Sequence, residues 1–397
     1  MLTSINKNIG EVDSRKLYAQ YYTRIDISSI LIEKLGQISR PNKIIDLSMG
    51  KGALLDSAKK NYPQASLYGC DIDSKNVTIV SQQEKFDVNV FNVDSTSSTL
   101  NDLISINDFD LVLGNPPFGF IKKNPFIVNV LNEFGCNCSS INISLELLFV
   151  LLGIKYLKPD GILSYIIPDG LLTNMRYERF REVLFSNYRI ISVVHLGKKR
   201  FEGTEACTHI LTVKKRKLKK SYKIKLESID FPGKYCSISK TEFISRGDYS
   251  FHTKPSHLNA RKLKTLNVQL MRGRLSNKKL LTMSTDFIHT TSFENSDFKI
   301  FSNNNLQIND EKKVREGDIV IARVGTRAIG KVGLIYQGNF HISDCMIAIR
   351  TNNAETRKFI LKTLKSPIGK NWLNSISKGV GARHITMTDL NELPIFI

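Results

Sequence analysis

Apolar and polar positions repeat as a unit through the first third of the chain. An apolar run at residues 43–46 enters a glycine-rich turn, and a helical pattern follows over 53–60. Further runs at 66–73, 87–94 and 110–115 each read as a short strand with a polar end. The strand ends are, in order, Asp46, Asp71, Asp94 and Asn115. One polar end per strand-plus-crossover fits a parallel α/β sheet. Ligands of such sheets bind beyond the carboxyl ends of the strands, so these four residues are expected to line one crevice. Gly50 and Gly52 permit the tight turn and a close ligand approach to the backbone.

The character changes after the basic run at 214–220, a plausible phosphate-facing hinge. Residues 221–245 alternate polar and apolar as a closing strand pair or linker. From about 246 the chain becomes short strands with glycine turns, at 314–325, 330–335 and 343–350, and then helical patterns at 355–364 and 369–375. Two domains are expected, 1–245 and 246–397, each long enough to bury a core. The apolar stretch 145–157 is interrupted by Gly153 and Lys155, so no membrane span is expected. The polar N-terminus carries no signal-peptide pattern, which predicts a cytoplasmic protein. The cysteines at 70, 136, 138, 207, 236 and 345 are scattered, and the histidines form no i, i+4 pair. Reduced thiols and no metal are expected.

Charge narrows the partners. Lys+Arg number 57 against 37 Asp+Glu, a net +20. That excess suits phosphate neutralisation, although abundant Ile, Asn and Lys also fit an AT-rich coding bias.

The most specific chemistry lies at residues 110–119, where an apolar strand runs into Asn115-Pro116-Pro117-Phe118. Proline fixes φ and has no N–H, so the Asn115 carboxamide and the Pro116 carbonyl become preset acceptors, and Phe118 can stack on a flat ring. This suits holding a planar amino group while a methyl is delivered to it. A proline-rich turn closing a buried strand is the plain alternative. Neither a Gly-x-Gly-x-x-Gly turn nor a Gly-Lys-Ser/Thr loop occurs, which counts against nicotinamide and nucleoside-triphosphate binding.

In order and residue type, residues 18–215 resemble the γ-class, Taq-type N6-adenine DNA methyltransferases, which depend on S-adenosyl-L-methionine. The resemblance implies a class I, Rossmann-like, mostly parallel sheet with helices on both faces. It assigns Tyr22 and Thr23, ahead of a helix at 27–35, to the cofactor lid, and Asp46, Ser48, Gly50 and Gly52 to the first cofactor motif. Asp71 with Ile72 would meet the ribose, and Asp94 the cofactor's adenine. Asn115 to Phe118 would be the catalytic tetrad, with Asn115 also touching the cofactor. Residues 158–168 look like the family's later strand, with Asp160 replacing a glycine, and Asp46 stands where Glu is common. Within 195–205, just before a strand at 208–213, Lys199 and Phe201 fall where the family contacts the target, an aromatic there sandwiching a flipped base. A packed loop aromatic is the competing reading of Phe201.

Residues 250–397 resemble a target-recognition domain of type I restriction specificity subunits, through the segments 317–335 and 381–395. Such a domain reads double-stranded DNA through the major groove. Arg272, Arg274, Arg323, Arg327, Lys331, Lys378 and Arg383 are the candidate base readers or phosphate anchors, each of which could equally be an ordinary solvated cation. Trp372, the lone tryptophan, reads as core. The expected function is site-specific adenine methylation in a restriction-modification system, any nuclease residing on a separate chain. Methylation of an RNA base or a protein glutamine amide, and a non-catalytic DNA-specificity protein, are the alternatives.

Overall fold

The computed structural model describes residues 23–36, 40–83, 87–197, 207–218, 221–254, 260–283, 286–293, 298–300, 313–325, 327–379 and 382–396. Tyr22, Lys199 and Phe201 lie outside these residues. The chain forms two compact units, Met1–Tyr249 and Ser250–Ile397. Among the described residues no helix is long and apolar enough to cross a membrane.

Unit one is built on a nine-stranded sheet. Its strands are β1 (Lys43–Asp46), β2 (Ser66–Asp71), β3 (Val88–Asn92), β4 (Phe109–Gly114), β7 (Leu157–Pro168), β8 (Arg189–His195), β9 (Thr208–Lys214), β10 (Ile224–Ser228) and β11 (Tyr235–Ile238). A separate hairpin pairs β5 (Phe120–Lys122) with β6 (Asn142–Ser144). The order in the large sheet is β11-β10-β8-β9-β7-β4-β1-β2-β3. Pairs from β3 to β7 are parallel, and β9 runs antiparallel between β7 and β8. Strand order reverses at β1, which has β2 on one side and β4 on the other. That switch point opens a crevice at the carboxyl ends of the strands.

Burial follows the strand period of two. Ile44, Leu111, Leu113, Ile166 and Ile210 enter one core, and Ile45, Val112, Tyr165, Ile167 and Leu211 enter the other. Helices α1 (Ile25–Leu35) and α2 (Ala53–Asn61) cover the first face and are stitched by Ser57 Oγ to Ser28 Oγ at 2.7 Å. Helix α3 (Leu145–Tyr156) covers the other face and is buried nearly all round, which is why its apolar pattern shows no polar stripe. The stretch read as a strand pair or linker is β10 and β11, which widen the sheet past β8.

Past β7 come the short helix α4 (Asp169–Thr173) and α5 (Glu178–Asn187). Arg181 on α5 is wholly buried and donates to four backbone carbonyls: Ile244 (2.7 Å), Leu171, Asn174 and Ser245 (each 2.9 Å). Burial pulls its guanidinium pKa down to about 10, still high enough for it to stay charged at neutral pH.

Unit two has a five-stranded sheet with order Gln269–Arg272, Met346–Arg350, Ile319–Ala322, Val332–Ile335, Phe298–Ile300. Helices Ala354–Lys365 and Pro367–Ile376 contribute Ile360, Leu364, Trp372 and Leu373 to its main core. Trp372 is thus a core residue, as expected.

Replacing Arg181 by Met should remove four hydrogen bonds from a buried guanidinium, that to the buried Leu171 carbonyl among them, and destabilise the protein by about 3–5 kcal/mol. Thermal unfolding checks this, with Arg179→Met on the exposed face of the same helix as control. Equal melting temperatures for the two variants would contradict the role.

Candidate active site

The crevice at the switch point holds a cavity of about 320 Å³. That lies within the range of small-molecule sites, roughly 300–1,000 Å³. Its wall includes Thr23, Asp46, Ser48, Gly50, Asp71, Ile72, Asp94, Asn115, Pro117 and Phe118. The structure therefore brings together all four polar strand ends.

The turn after β1 is shaped by glycine and tied down by its neighbours. Gly50 and Gly52 have φ of 54° and 81°, the left-handed region that side chains disfavour. Gly50 N donates to Asp71 Oδ2 at 2.8 Å, Met49 N to the Cys70 carbonyl at 2.9 Å, and Ser95 Oγ to the Leu47 carbonyl at 2.7 Å. The turn after β1 is thus joined to the end of β2 and to the residue Ser95 past β3. Gly52 does not itself appear in the cavity wall; it shapes the turn that does.

The three carboxylates differ in environment. Asp46 is buried and accepts from Ser48 N at 2.9 Å. Desolvation, with Asp71 adding repulsion, raises its pKa to about 7 against that one hydrogen bond. Asp71 accepts from Gly50 N, Asp73 N (2.9 Å) and Asn76 Nδ2 (3.2 Å), and burial still leaves its pKa raised. On Asp94, Oδ1 accepts from Thr96 N and Thr96 Oγ1 at 2.8 and 2.7 Å. Ile72 at the end of β2 is 49% exposed, an apolar surface beside the Asp71 carboxylate.

On the opposite wall, Asn115 Nδ2 donates to Thr23 Oγ1 at 3.2 Å, a contact across 92 residues of sequence. This bond orients the carboxamide and makes Oδ1 its acceptor end. Pro116 is buried and is not among the lining residues, so of the two expected acceptors only the carboxamide is on the wall. Pro117 and Phe118 do line it, followed by Gly119 and the exposed Phe120.

Two features of this wall escaped sequence reasoning. Glu146, in the first turn of α3, is 7% exposed and accepts from Gly119 N at 3.2 Å, which braces the backbone just past the tetrad. Burial raises its pKa. Phe120 carries the Arg176 guanidinium 5.1 Å from its ring centre. An acid opening an otherwise apolar helix was the available signal for Glu146.

In unit two the seven candidate cations separate by burial. Arg272, Arg274 and Arg327 are exposed. Arg323 is buried and donates to the carbonyls of Ile385 (3.1 Å) and Asp344 (2.9 Å). Arg383 is buried and donates to those of Asn374 (3.1 Å) and Ser377 (3.2 Å). Lys378 pairs with Asp389 at 2.9 Å, and Lys331 Nζ donates to the Phe293 carbonyl at 3.1 Å. Arg323 and Arg383 thus bond to loop carbonyls within unit two, whereas Arg272, Arg274 and Arg327 are exposed.

Comparison with known proteins agrees with this geometry. Residues 11–250 match the family described as N-6 DNA Methylase, and residues 266–397 match the type I restriction modification DNA specificity domain. Modification methylase CviBIII of Paramecium bursaria Chlorella virus NC1A is 26% identical over 171 residues, 42% of this chain and 42% of that protein. The chain thus spans less than half the length of that curated relative. The type IIG restriction endonuclease BpuSI has a similar fold, with a TM-score of 0.53 at 15% identity, covering 97% of this chain and 60% of that one. A type I restriction-modification methyltransferase subunit from Streptococcus thermophilus aligns at a TM-score of 0.45 and 20% identity, over 56% of this chain and 51% of that one. With its class I methyltransferase sheet and most of its length covered by one family description, the chain belongs to the N-6 DNA methylase family and carries a C-terminal domain of the type I specificity kind.

Proposed function

We propose that the chain is a sequence-specific DNA adenine methyltransferase of a restriction-modification system. In this reading unit one methylates the N6 amino group of an adenine turned out of the duplex, and unit two reads the target sequence. The observation that carries the proposal is the Asn115 carboxamide facing the same cavity as three strand-end carboxylates. The match of residues 266–397 to a DNA specificity domain favours DNA over an RNA base or a protein glutamine amide.

The donor set fits S-adenosyl-L-methionine. Carboxylate oxygens have two lone pairs each, so Asp71 can accept from ribose hydroxyls while keeping its bonds to the turn. Asp94 can accept from an adenine amine, and Ile72 offers that ring an apolar face. Asp46, with Ser48, suits the cationic methionine end, because an adjacent positive charge favours the carboxylate form that burial opposes. When bound, the cofactor supplies a methyl group made electrophilic by a positively charged sulfur.

The protein's own part is orientation and electrostatics. Asn115 Oδ1 accepts one N–H of the target amino group, and the Pro116 carbonyl, next along the turn, serves as the second acceptor once the base is seated. Acceptors aimed this way draw the nitrogen lone pair out of ring conjugation. They grow stronger as nitrogen gains positive charge, which is transition-state stabilisation. Thr23 holds the carboxamide in that orientation, Glu146 braces the loop, and Phe118 stacks on the base. Phe201 and Lys199 are proposed to meet the base and its backbone from the segment between β8 and β9.

Asn115→Ala should abolish methyl transfer to plasmid DNA, read by single-molecule sequencing, while S-adenosylmethionine binding changes by less than about tenfold, roughly the worth of one hydrogen bond. Undiminished methylation in that variant refutes the assignment.

Below pH 7 Asp46 is largely protonated, and a cation beside it lowers its pKa, so binding must expel a proton. Cofactor affinity should therefore rise from pH 5 to about 7 and level off above. Calorimetry at pH 6 in buffers of different ionisation enthalpy should detect the released proton, and Asp46→Asn should silence it. Equal proton release from both proteins would count against the placement.

Arg274→Ala should weaken DNA binding and its salt dependence without lowering the melting temperature. Arg383→Ala should lower the melting temperature. The reverse pattern would invert the division drawn from burial.

A further inference from the structure

We infer that unit one contains a transition-metal site, suited to zinc, formed by His195, Cys207 and His209 where β8 meets β9. The three side chains offer one ligand atom each, all within 4.8 Å of one another. The strands explain the juxtaposition. His195 is the direct cross-strand partner of His209, and Cys207 lies two residues before His209, hence on the same face. Spacing along the sequence hides such a site, because its ligands come from opposite strands of one antiparallel pair.

His209 supplies an independent pointer. It is fully buried, and its Nε2 donates to Asp169 Oδ1 at 3.1 Å. A carboxylate only accepts, so this bond keeps the proton on Nε2 and leaves Nδ1 as a bare lone pair. That Nδ1 is buried with no hydrogen-bond partner among the described residues. An unsatisfied buried imidazole nitrogen is costly, and a metal ion is the ligand that would relieve it. A carboxylate hydrogen-bonded to the far nitrogen of a ligating histidine is the usual outer support of zinc sites. Asp169 is itself fixed, since Oδ2 accepts from Thr173 Oγ1 at 3.1 Å and its backbone N–H donates to the Cys207 carbonyl at 2.9 Å.

Distances and donor chemistry agree. Cys207 Sγ lies 3.6 Å from His195 Nδ1. Tetrahedral zinc, with bonds of about 2.3 Å to sulfur and 2.0 Å to nitrogen, places such atoms about 3.5 Å apart. Two imidazoles and one thiolate suit zinc or its cobalt surrogate and disfavour magnesium and calcium. Binding replaces the thiol proton, which leaves for solvent, and leaves a fourth position for water. The bound ion would join the last residue of β8 to the residue preceding β9, the two stems of the connection over 196–206. The metal site does not rest on the proposed function.

The test is cobalt(II) titration of the full chain, reduced and stripped with chelator. One equivalent should bind and give a thiolate-to-cobalt charge-transfer band with the visible bands of tetrahedral cobalt, all displaced by one equivalent of zinc. Cys207→Ser should lose the charge-transfer band. His195→Gln, at a half-buried position that the fold tolerates more readily, should weaken affinity at least tenfold. Cys138→Ser, at an exposed cysteine, should change neither. No uptake by the unaltered chain, or a band that survives both Cys207→Ser and His195→Gln, overturns the site. Neither DNA nor S-adenosylmethionine is present, so that failure would leave the methyl-transfer reading intact.

Discussion

One hydrogen bond organises the cavity: the Gly50 amide donating to the Asp71 carboxylate. It fastens the turn after β1, where Gly50 takes a left-handed φ, to the end of β2. Met49 and Ser95 add further ties to β2 and past β3, so the turn is held from two neighbouring strands. A loosely attached turn would let Asp46 swing toward water. Its carboxylate then would not feel the desolvation that sets its titration near neutrality. The electrostatics of the site thus depend on how this turn is fastened to the neighbouring strand.

Much of this was legible in the chain because strand ends in a parallel sheet are spatial neighbours by construction. The polar ends at 46, 71, 94 and 115 required only that β1, β2, β3 and β4 be recognised as strands. The helix expected at 53–60 is observed as Ala53–Asn61, and the strand at 208–213 as Thr208–Lys214. Contacts between distant segments were less visible. The Thr23–Asn115 pair was foreshadowed only as two separate motifs of a resemblance. Glu146 was not singled out, and nothing in its neighbours in sequence indicates that it meets Gly119. The His195–His209 register depends on how two strands align across a connection, which residue spacing does not encode.

Basic residues were the least legible of all. A net charge of +20 invites assigning every arginine to a phosphate, yet charge says nothing about burial. Arg181, Arg323 and Arg383 each spend their guanidinium groups on backbone carbonyls, a task for which several fixed N–H vectors suit arginine better than lysine. Arg350 is engaged too, in a bidentate pair with the buried Asp318. In each case the surrounding loop, not the arginine's own segment, decides its role. Exposed Arg272 and Arg274, beside the edge strand of unit two, have no such internal employment among the bonds described.

The acidity of the cavity also bears on why position 115 in its wall carries an amide. Three carboxylates already face one small space, and burial with repulsion from Asp71 lifts Asp46 to about 7. A fourth acid at position 115 would meet both desolvation and repulsion, and would sit protonated near neutral pH. It would then present a donor to an amino group that has donors of its own. A carboxamide oxygen accepts at every pH, and its NH2 end can be tethered, as it is to Thr23. In the function proposed above, carboxylates for the cationic ligand and a neutral acceptor for the nucleophile are therefore one electrostatic arrangement, in which each choice constrains the other.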